Sequence, residues 1–253
     1  MPELTPFIDV NFTGQIWKFM IDESAGLLFA EVRDAEKREV SFASIDLNTG
    51  VLNFSGLTLP EKWLSGLQGS FNGTLFLHGY LSAQSPIHKG IVAFDGTTCT
   101  ELWSNYTYAI SNITINGPIA YNAQIQPPLR YLLDSQTGAM LRPYNASIDA
   151  DIEQHIALPD ILIAMPSGFN VFFESEPTGN FHYMEHNDFR IVSLHTINNG
   201  LLKQNLFVTL NGDIVYTDIL TDEIQKLQPE SFIMYKNQLI YIKNTRELKI
   251  LNL

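Results

Sequence analysis

A short pattern that recurs along the chain constrains its fold more than any other feature of the sequence. In "FASIDLNTGVL", residues 42–52, apolar side chains alternate up to Asp46, the alternation stops at Thr49 and Gly50, and it then resumes. Aspartate accepts hydrogen bonds from backbone N–H groups two or three residues further on, and glycine tolerates the left-handed conformation that closes a hairpin. The stretch therefore predicts two antiparallel strands joined by a tight turn.

Similar stretches recur along the rest of the chain. The positions equivalent to Asp46 are Asp95, Asp134, Ser175, Asp218 and Asn252. Successive positions lie 34 to 49 residues apart, and a period of about 40 to 45 residues is typical of four-stranded propeller blades. Three strand-like stretches precede each position, and no stretch has a sustained helical period. We therefore predict an all-β chain in which residues 1–253 form a single domain, a six-bladed β-propeller.

The two ends of the chain predict how such a ring would close. The sixth repeat stops at Leu253, directly after its third strand, whereas the apolar stretch at residues 4–12 has no obvious partner. We predict that this N-terminal stretch pairs with the C-terminal strand as the missing fourth strand, because ring closure hides sheet edges. Five or seven blades and a two-sheet sandwich remain alternatives.

One turn departs from the pattern, since Cys99 stands where the first copy has Gly50. Cysteine is not favoured in the left-handed conformation, so we expect Gly96 to take that role instead. Cys99 is also the only cysteine. It can form neither a disulfide within the chain nor a cysteine-rich zinc site, and we expect it to be a small apolar residue in a strand.

The charge of the chain limits its partners. There are 15 Lys and Arg residues against 27 Asp and Glu residues, which gives a net charge of −12. Phosphate backbones and anionic membrane surfaces repel such a chain, so we expect a protein or small-molecule ligand and neither nucleic acid nor membrane. The N-terminus has no secretion signal and no run of about 18 apolar residues occurs, so we expect a cytoplasmic protein.

The third strand and turn of the second repeat carry a resemblance to known families. "AFDGTTCTELW", residues 93–103, resembles the "ALDxxTGxxxW" unit of quinoprotein-like propeller repeats and, more loosely, WD40-type repeats; uncharacterised bacterial propeller families are similar as well. The resemblance implies a propeller fold and says little about function. The resemblance also suggests a quinone cofactor as a third hypothesis. The regular tryptophans of that family are missing, however, because only Trp103 is at the matching position and Trp17 and Trp63 are not.

The loops between second and third strands, together with the connections between blades, would lie on one face of such a ring. Propellers usually bind ligands on this loop-rich face or in the mouth of the channel, and proline in several of these segments favours rigid loops. The loops are residues 33–39, 81–90, 124–130 and 243–247, and the connections are residues 57–63, 147–153, 185–189 and 227–231.

"HYMEH", residues 182–186, matches the H-x-x-E-H pattern of inverted zinc proteases. That chemistry needs a helix, whereas we predict a strand here, on which His182 and His186 share a face and Glu185 points the other way. A metalloprotease site is therefore not expected.

The remaining candidates are charged residues in the loop-rich segments. His88 and Arg130 can contact an anionic ligand, and the alternating carboxylates Asp149, Asp151 and Glu153 can bind Ca²⁺. Residues of this kind in loops are more often solvated charges without a ligand. The candidate binding residues are His88, Arg130, Asp149, Asp151, His186 and Asp188.

The function that the sequence favours is a non-enzymatic binding or scaffold module that uses the loop-rich face. No nucleophile elbow, P-loop or dinucleotide fingerprint is present, and no catalytic residue can be assigned. The hypothesis predicts an exposed aromatic or apolar patch rimmed by charge. The alternative is a metal-dependent enzyme of the lactonase or cyclase type, with ligands converging at the channel mouth. No cofactor is predicted, Ca²⁺ or Zn²⁺ stay alternatives, and whether the protein is an enzyme stays open.

Overall fold

The chain is all-β in a computed structural model that describes residues 3–166, 169 and 175–253. The described residues form 22 strands in five antiparallel sheets. Among them there is no helix long and apolar enough to cross a bilayer. The strands belong to two compact units: a central unit, residues 13–154, and a terminal unit that combines residues 1–12 with residues 155–253.

The central unit contains three sheets, each a meander of four consecutive strands. The first sheet consists of β2 (Gln15–Asp22), β3 (Leu27–Asp34), β4 (Glu39–Asp46) and β5 (Leu52–Leu57). The second consists of β6 (Ser65–Phe71), β7 (Thr74–Ser82), β8 (Ser85–Asp95) and β9 (Glu101–Asn105). The third consists of β10 (Tyr108–Thr114), β11 (Gly117–Asn122), β12 (Arg130–Leu133) and β13 (Met140–Pro143). Four-stranded meanders are the unit from which propeller blades are made.

The predicted aspartate turns join the third and fourth strands of all three sheets. After β4, the Asp46 carboxylate accepts hydrogen bonds from the backbone N–H groups of Asn48 and Thr49 at 2.8 and 3.0 Å. Gly50 follows with a φ of +76°. The turn after Asp134 has the same hydrogen bonds and ends at Gly138, whose φ is +69°. The sequence pattern is therefore confirmed in the central unit.

The expected role of Gly96 is wrong. The Asp95 carboxylate accepts hydrogen bonds from Thr97 and Thr98, and Cys99 itself adopts the left-handed conformation with a φ of +60°. Four hydrogen bonds to Asp95 hold the turn, because the Thr98 hydroxyl also donates to the carboxylate at 2.9 Å and the backbone N–H of Cys99 donates to the Asp95 carbonyl at 3.0 Å. Gly96 is needed for another reason: a Cβ there would lie 2.6 Å from the carbonyl oxygen of Gly73.

The terminal unit contains two five-stranded sheets. The fourth sheet consists of β15 (Asp160–Leu162), β16 (Pro177–His186), β17 (Phe189–Asn198), β18 (Leu201–Leu210) and β19 (Asp213–Ile224). The fifth runs in the order β1 (Ile8–Asn11), β22 (Glu247–Asn252), β21 (Gln238–Lys243), β20 (Phe232–Tyr235) and β14 (Ile156–Ala157).

The predicted pairing of the chain ends is confirmed. β1 lies antiparallel to β22, with Ile8 opposite Ile250 and Asn11 opposite Glu247. The backbone N–H groups of Phe7 and Phe12 extend the pairing to the carbonyls of Ile250 and Arg246. The N-terminal segment therefore provides the fourth strand after β20, β21 and β22, while closure of a ring by this pairing stays a prediction.

The turn expected between Asp218 and Asp222 is wrong. Asp218 lies in the middle of β19, and the chain instead reverses at Asn211 and Gly212, which have φ values of +53° and +91°. Asn-Gly is the preferred sequence of two-residue hairpin turns, so this local signal dominates.

The turn expected at Thr178 and Gly179 is also wrong, since both residues lie within β16. The register with β17 shifts between Thr178 and His182, and the φ of Gly179 is +77°, as in a β-bulge. Residues 171–174 of the same predicted repeat lie outside the described residues. The fourth and fifth predicted repeats thus contribute to one sheet, and the count of six blades is not confirmed.

Separate clusters of buried side chains hold the sheets together within each unit. In the central unit, Phe29 and Phe42 of the first sheet pack with Leu75 and Leu77 of the second. In the terminal unit, Leu206 and Val208 of the fourth sheet pack with Leu239 and Tyr241 of the fifth. Face-to-face burial of alternating side chains is thus the main stabilising contribution in both units.

The left-handed conformation at position 99 gives a first prediction. We expect Cys99→Gly to raise the free energy of unfolding by about 0.5 kcal/mol, because relief of left-handed strain outweighs the added flexibility of glycine in the unfolded chain. The reciprocal change Gly50→Cys should lower it by a similar amount. Urea denaturation measures both changes, and a destabilised Cys99→Gly variant would contradict the assigned turn.

The pairing of β1 with β22 gives a second prediction. Ile8 is 2% exposed, so Ile8→Ala should cost about 3 kcal/mol of unfolding free energy through lost burial and the cavity left behind. The matched control is Asn11→Ala on the same strand, where the side chain is exposed and a change within about 0.5 kcal/mol is expected. Equal effects of the two substitutions in chemical denaturation would rule out a packed β1.

Candidate functional site

A group of aromatic, histidine and charged side chains lies where the first and second sheets of the central unit meet. We call it the Trp–His cluster. β2 and β3 supply four of its members, the segment before β6 supplies one, and the hairpin of β7 and β8 supplies three. The members are Trp17, Lys18, Glu31, Arg33, Trp63, His78, Tyr80 and His88.

A β-bulge turns Trp17 towards solvent. Ile16 pairs with Val32 and Lys18 with Glu31, so Trp17 is the extra residue that has no partner on β3. A bulge of this kind redirects a side chain, and Trp17 is 61% exposed. A tryptophan so placed offers its ring to a ligand at little conformational cost.

Arg33 is fixed beside two tryptophan rings. Its Nε and Nη2 groups donate to the same oxygen of Glu31, at 2.7 and 2.6 Å. The guanidinium carbon lies 5.0 Å from the ring centroid of Trp17 and 5.8 Å from that of Trp63. Both distances are within the range of cation–π attraction. The exposed indole is therefore held against a fixed positive charge.

Glu31 and Lys18 join the first sheet to the edge of the second. Glu31 is buried, and its second oxygen accepts a hydrogen bond from the backbone N–H of Leu67 at 2.7 Å. The ammonium of Lys18 donates to the carbonyl of the same residue at 3.1 Å. These two contacts satisfy backbone groups of β6 that would otherwise be left at a strand edge.

The centre of the cluster is a stack of two imidazoles. The ring centroids of His78 and His88 lie 3.7 Å apart with the planes inclined by 14°, and Tyr80 meets His78 edge-on at 4.8 Å. Gly66 makes room for the stack, since a Cβ there would lie 2.9 Å from Nε2 of His78. Glycine at this position is thus a packing requirement.

His78 is kept neutral by its surroundings. It is 4% exposed, and neither ring nitrogen has a hydrogen-bond partner among the described residues. Burial, reinforced by the charges of His88, Lys18 and Arg33, lowers the pKa of His78 to about 3. Burial likewise lowers the pKa of His88. At neutral pH the stack therefore consists of two uncharged rings, which is why it can form next to two cations.

Three of the candidate residues from the sequence, Arg130, Asp149 and Asp151, lie elsewhere in the central unit. Arg130 begins β12 and its guanidinium lies 5.1 Å from the ring centroid of Tyr144. Asp151 is exposed and accepts a hydrogen bond from the side chain of Asn112 at 2.6 Å. Of the six candidates, His88 alone belongs to the Trp–His cluster, and binding roles for the others stay predictions.

Asp149 is an internal structural carboxylate. Arg142 donates to its two oxygens at 2.5 and 2.7 Å, and the Asn116 side chain and the Asn145 backbone N–H donate as well. The hydrogen bonds from Arg142 hold the pKa of Asp149 well below its usual range. Because its oxygens are already occupied, Asp149 is a poor Ca²⁺ ligand in this arrangement.

The H-x-x-E-H segment lies on a strand, as predicted. His182 of β16 is buried, with a pKa lowered by burial, and its charge contributes to lowering the pKa of His195. His186 lies at the end of β16, where its Nε2 is 3.0 Å from the side-chain oxygen of Asn237. Asp188 is exposed between β16 and β17.

No metal site accompanies these histidines. Within the described residues, no three His, Cys, Asp or Glu side chains come together in a way that could hold an ion. The candidate residues are instead spread over both units.

The terminal unit contains a cavity among its described residues. A cavity of about 420 Å³ is bordered by β14, β15, β16 and β20. Its lining residues are Ala157, Leu158, Asp160, Tyr183, Met184, Glu185, His186 and Met234. His186 is thus the second candidate residue that lies in a recognisable site.

Known proteins are similar to this chain over one segment of its sequence and, weakly, in its structure. Residues 21–103, which include most of the first and second sheets, match a family described as a domain of unknown function (DUF4905). None of the curated proteins matches. Among the solved structures, the chain is similar to the β-propeller domain of the Trilobed protease from Pyrococcus furiosus, described as having an open velcro topology. The identity is 8% and the TM-score 0.34, and the alignment covers 93% of this chain but 64% of that one. A similarity of this size carries no argument about function.

The neutral state of His78 gives a pH prediction. Its pKa is about 3 in the folded protein but about 6.5 in the unfolded chain. The unfolded state therefore binds more protons between these values, and stability falls as the pH drops below 6.5. At pH 5 this one group should lower the unfolding free energy by about 2 kcal/mol relative to pH 7.5.

Replacing the imidazole tests this. His78→Phe should reduce the difference in unfolding free energy between pH 7.5 and pH 5 by about 2 kcal/mol, whereas Asn11→Ala, which removes an exposed side chain that does not titrate, should leave it unchanged. Urea titrations at both pH values provide the measurement. A His78→Phe variant with the pH dependence of the original protein would show that His78 is not buried in its neutral form.

Proposed function

We propose that the protein is a non-enzymatic binding module and that the Trp–His cluster is its ligand-binding surface. The observation that carries this proposal is Trp17, which is 61% exposed at a β-bulge and lies against the fixed guanidinium of Arg33. Exposed tryptophans next to arginine are typical of binding hot spots.

The position of the cluster supports the same function. Arg33 immediately precedes the turn at Asp34 between β3 and β4, and Trp63 lies in the connection that leads to β6. Arg33 belongs to the loop at residues 33–39, and Trp63 belongs to the connection at residues 57–63. Both segments are part of the loop-rich face on which the sequence predicts ligand contacts. The same two segments carry charged pairs, since Lys37 pairs with Asp34 at 3.1 Å and Lys62 with Glu39 at 2.6 Å.

The chemistry of the surface favours a ligand with a flat or apolar group. Such a group can stack on Trp17, and the geometry is prepared in advance because Glu31 already orients Arg33. A net charge of −12 makes nucleic acids and anionic membranes poor partners. A protein segment or a small molecule is therefore the proposed ligand, and the proposed location is the cytoplasm.

The architecture proposed for the scaffold is a propeller. Five sheets of four or five antiparallel strands favour five blades, one of the two alternative counts that the sequence leaves open beside six. In such a ring the β1–β22 pair would complete the last blade. A metal-dependent enzyme remains the second hypothesis, although no observation on the described residues favours it.

The proposal is tested by ligand-observed NMR with a library of aromatic fragments and the full chain. Fragments that bind the protein should lose their saturation-transfer signal with Trp17→Ala and keep it with Tyr106→Ala. Tyr106 is the matched control, because it is an aromatic residue of the same unit with 68% exposure and lies outside the cluster. We expect the loss to be about tenfold or more in affinity, the size of one hot-spot contact.

Two results would contradict the proposal. If no fragment binds, the exposed indole is not a ligand platform. If binding is insensitive to Trp17→Ala, the ligand surface lies elsewhere on the protein.

A further inference from the structure

We infer that the cavity of the terminal unit is a second binding site and that it takes a small organic cation, an alkylammonium with an apolar body. Its volume of about 420 Å³ falls within the range of small-molecule sites. The inference rests on the lining of this cavity and is independent of the Trp–His cluster.

Strand register places three polar groups of the cavity on one face of the fourth sheet, opposite to the face of His186. Asp160 of β15 is directly opposite Tyr183 of β16, so their side chains project from the same face of the fourth sheet. Glu185 lies two residues beyond Tyr183 and shares that face. Two carboxylates and a phenol therefore line one wall of the cavity.

The negative charge of this wall is only partly offset. Glu185 accepts a hydrogen bond from the Tyr183 hydroxyl and lies 3.4 Å from Nε of Arg190. Burial and the Glu185 carboxylate raise the pKa of Tyr183 to about 12, so the phenol stays neutral and keeps donating. Asp160 forms no ion pair among the described residues, and no Lys or Arg lines the cavity. A cationic group is thus the natural counterpart of Asp160.

The rest of the lining suits an apolar body attached to that charge. Leu158, Met184 and Met234 border the cavity, and methionine adapts its shape to different ligands. Leu158 is 71% exposed and so remains available for contact. The ring of Tyr183 adds a π-face that attracts a cation.

Three six-carbon probes, n-hexylammonium, 1-hexanol and hexanoate, distinguish the contribution of charge to the binding affinity from that of apolar contact. Chemical-shift titrations of the full ¹⁵N-labelled protein measure each dissociation constant. We expect hexylammonium to bind about tenfold more tightly than hexanol, with shifts at Leu158 and Met184, and hexanoate to bind more weakly than hexanol.

Two variants that each remove one negative charge test whether Asp160 binds the amine. Asp160→Asn should weaken hexylammonium binding about fivefold and leave hexanol binding unchanged. The control Asp213→Asn removes an exposed carboxylate of β19, which is the edge strand opposite β15 in the fourth sheet, and should leave both constants unchanged.

Three outcomes would overturn the inference. The first is hexanol binding as tightly as hexylammonium, or no binding of the amine at all. The second is an Asp160→Asn variant with unaltered affinity for the amine. The third is an equal loss in Asp213→Asn, which would show that the net charge of the protein attracts the amine without a specific site.

Discussion

Capture of backbone N–H groups by an aspartate carboxylate is the interaction on which five of the nine hairpins of the central unit depend. It recurs at Asp22, Asp34, Asp46, Asp95 and Asp134, and in each case the residue four positions later has a positive φ. The carboxylate satisfies N–H groups that strand pairing cannot reach, so the chain reverses without leaving unpaired donors. Asp22 extends this role between sheets, because its other oxygen accepts a hydrogen bond from the backbone N–H of Gly73 at 2.9 Å.

The two candidate sites arise where this regular framework is interrupted. In the central unit, an extra residue in β2 exposes Trp17, and charged side chains of the first sheet bind the edge of β6. In the terminal unit, the short strands β14 and β15 leave room for a cavity beside the longer β16. Strand irregularities thus create the surfaces on which ligands can act, while the turns and cores supply rigidity.

The sequence predicted the parts of the fold that depend on local chemistry. The turns after Asp46 and Asp134 follow from the residues in the turn itself, and the β1–β22 pairing follows from counting strands. Asp218 was misassigned because its environment is tertiary: its carboxylate accepts hydrogen bonds from Tyr241 and Lys243, which lie on β21. The Asn211-Gly212 turn, by contrast, was visible in the sequence and was overlooked.

The candidate sites were harder to predict, since they depend on register. His88 was identified as a loop residue, but it lies on β8, and its stack with His78 requires the specific pairing of β7 with β8. Trp17 could be identified only from the bulge that exposes it. Hairpin register and bulges depend on contacts across strands, which residue patterns along a single strand do not determine.

The pairing of β1 with β22 has a consequence for synthesis on the ribosome. β1 leaves the exit tunnel well before its partner, since about 240 residues of translation separate Asn11 from the end of β22 at Asn252. At roughly 5 to 20 residues per second, this interval lasts some 10 to 50 seconds. The sheets of the central unit can form in that time, whereas the fifth sheet must wait for β22. β1 therefore stays without its partner until β22 has emerged, which makes the synthesis of β22 the step that completes the fifth sheet.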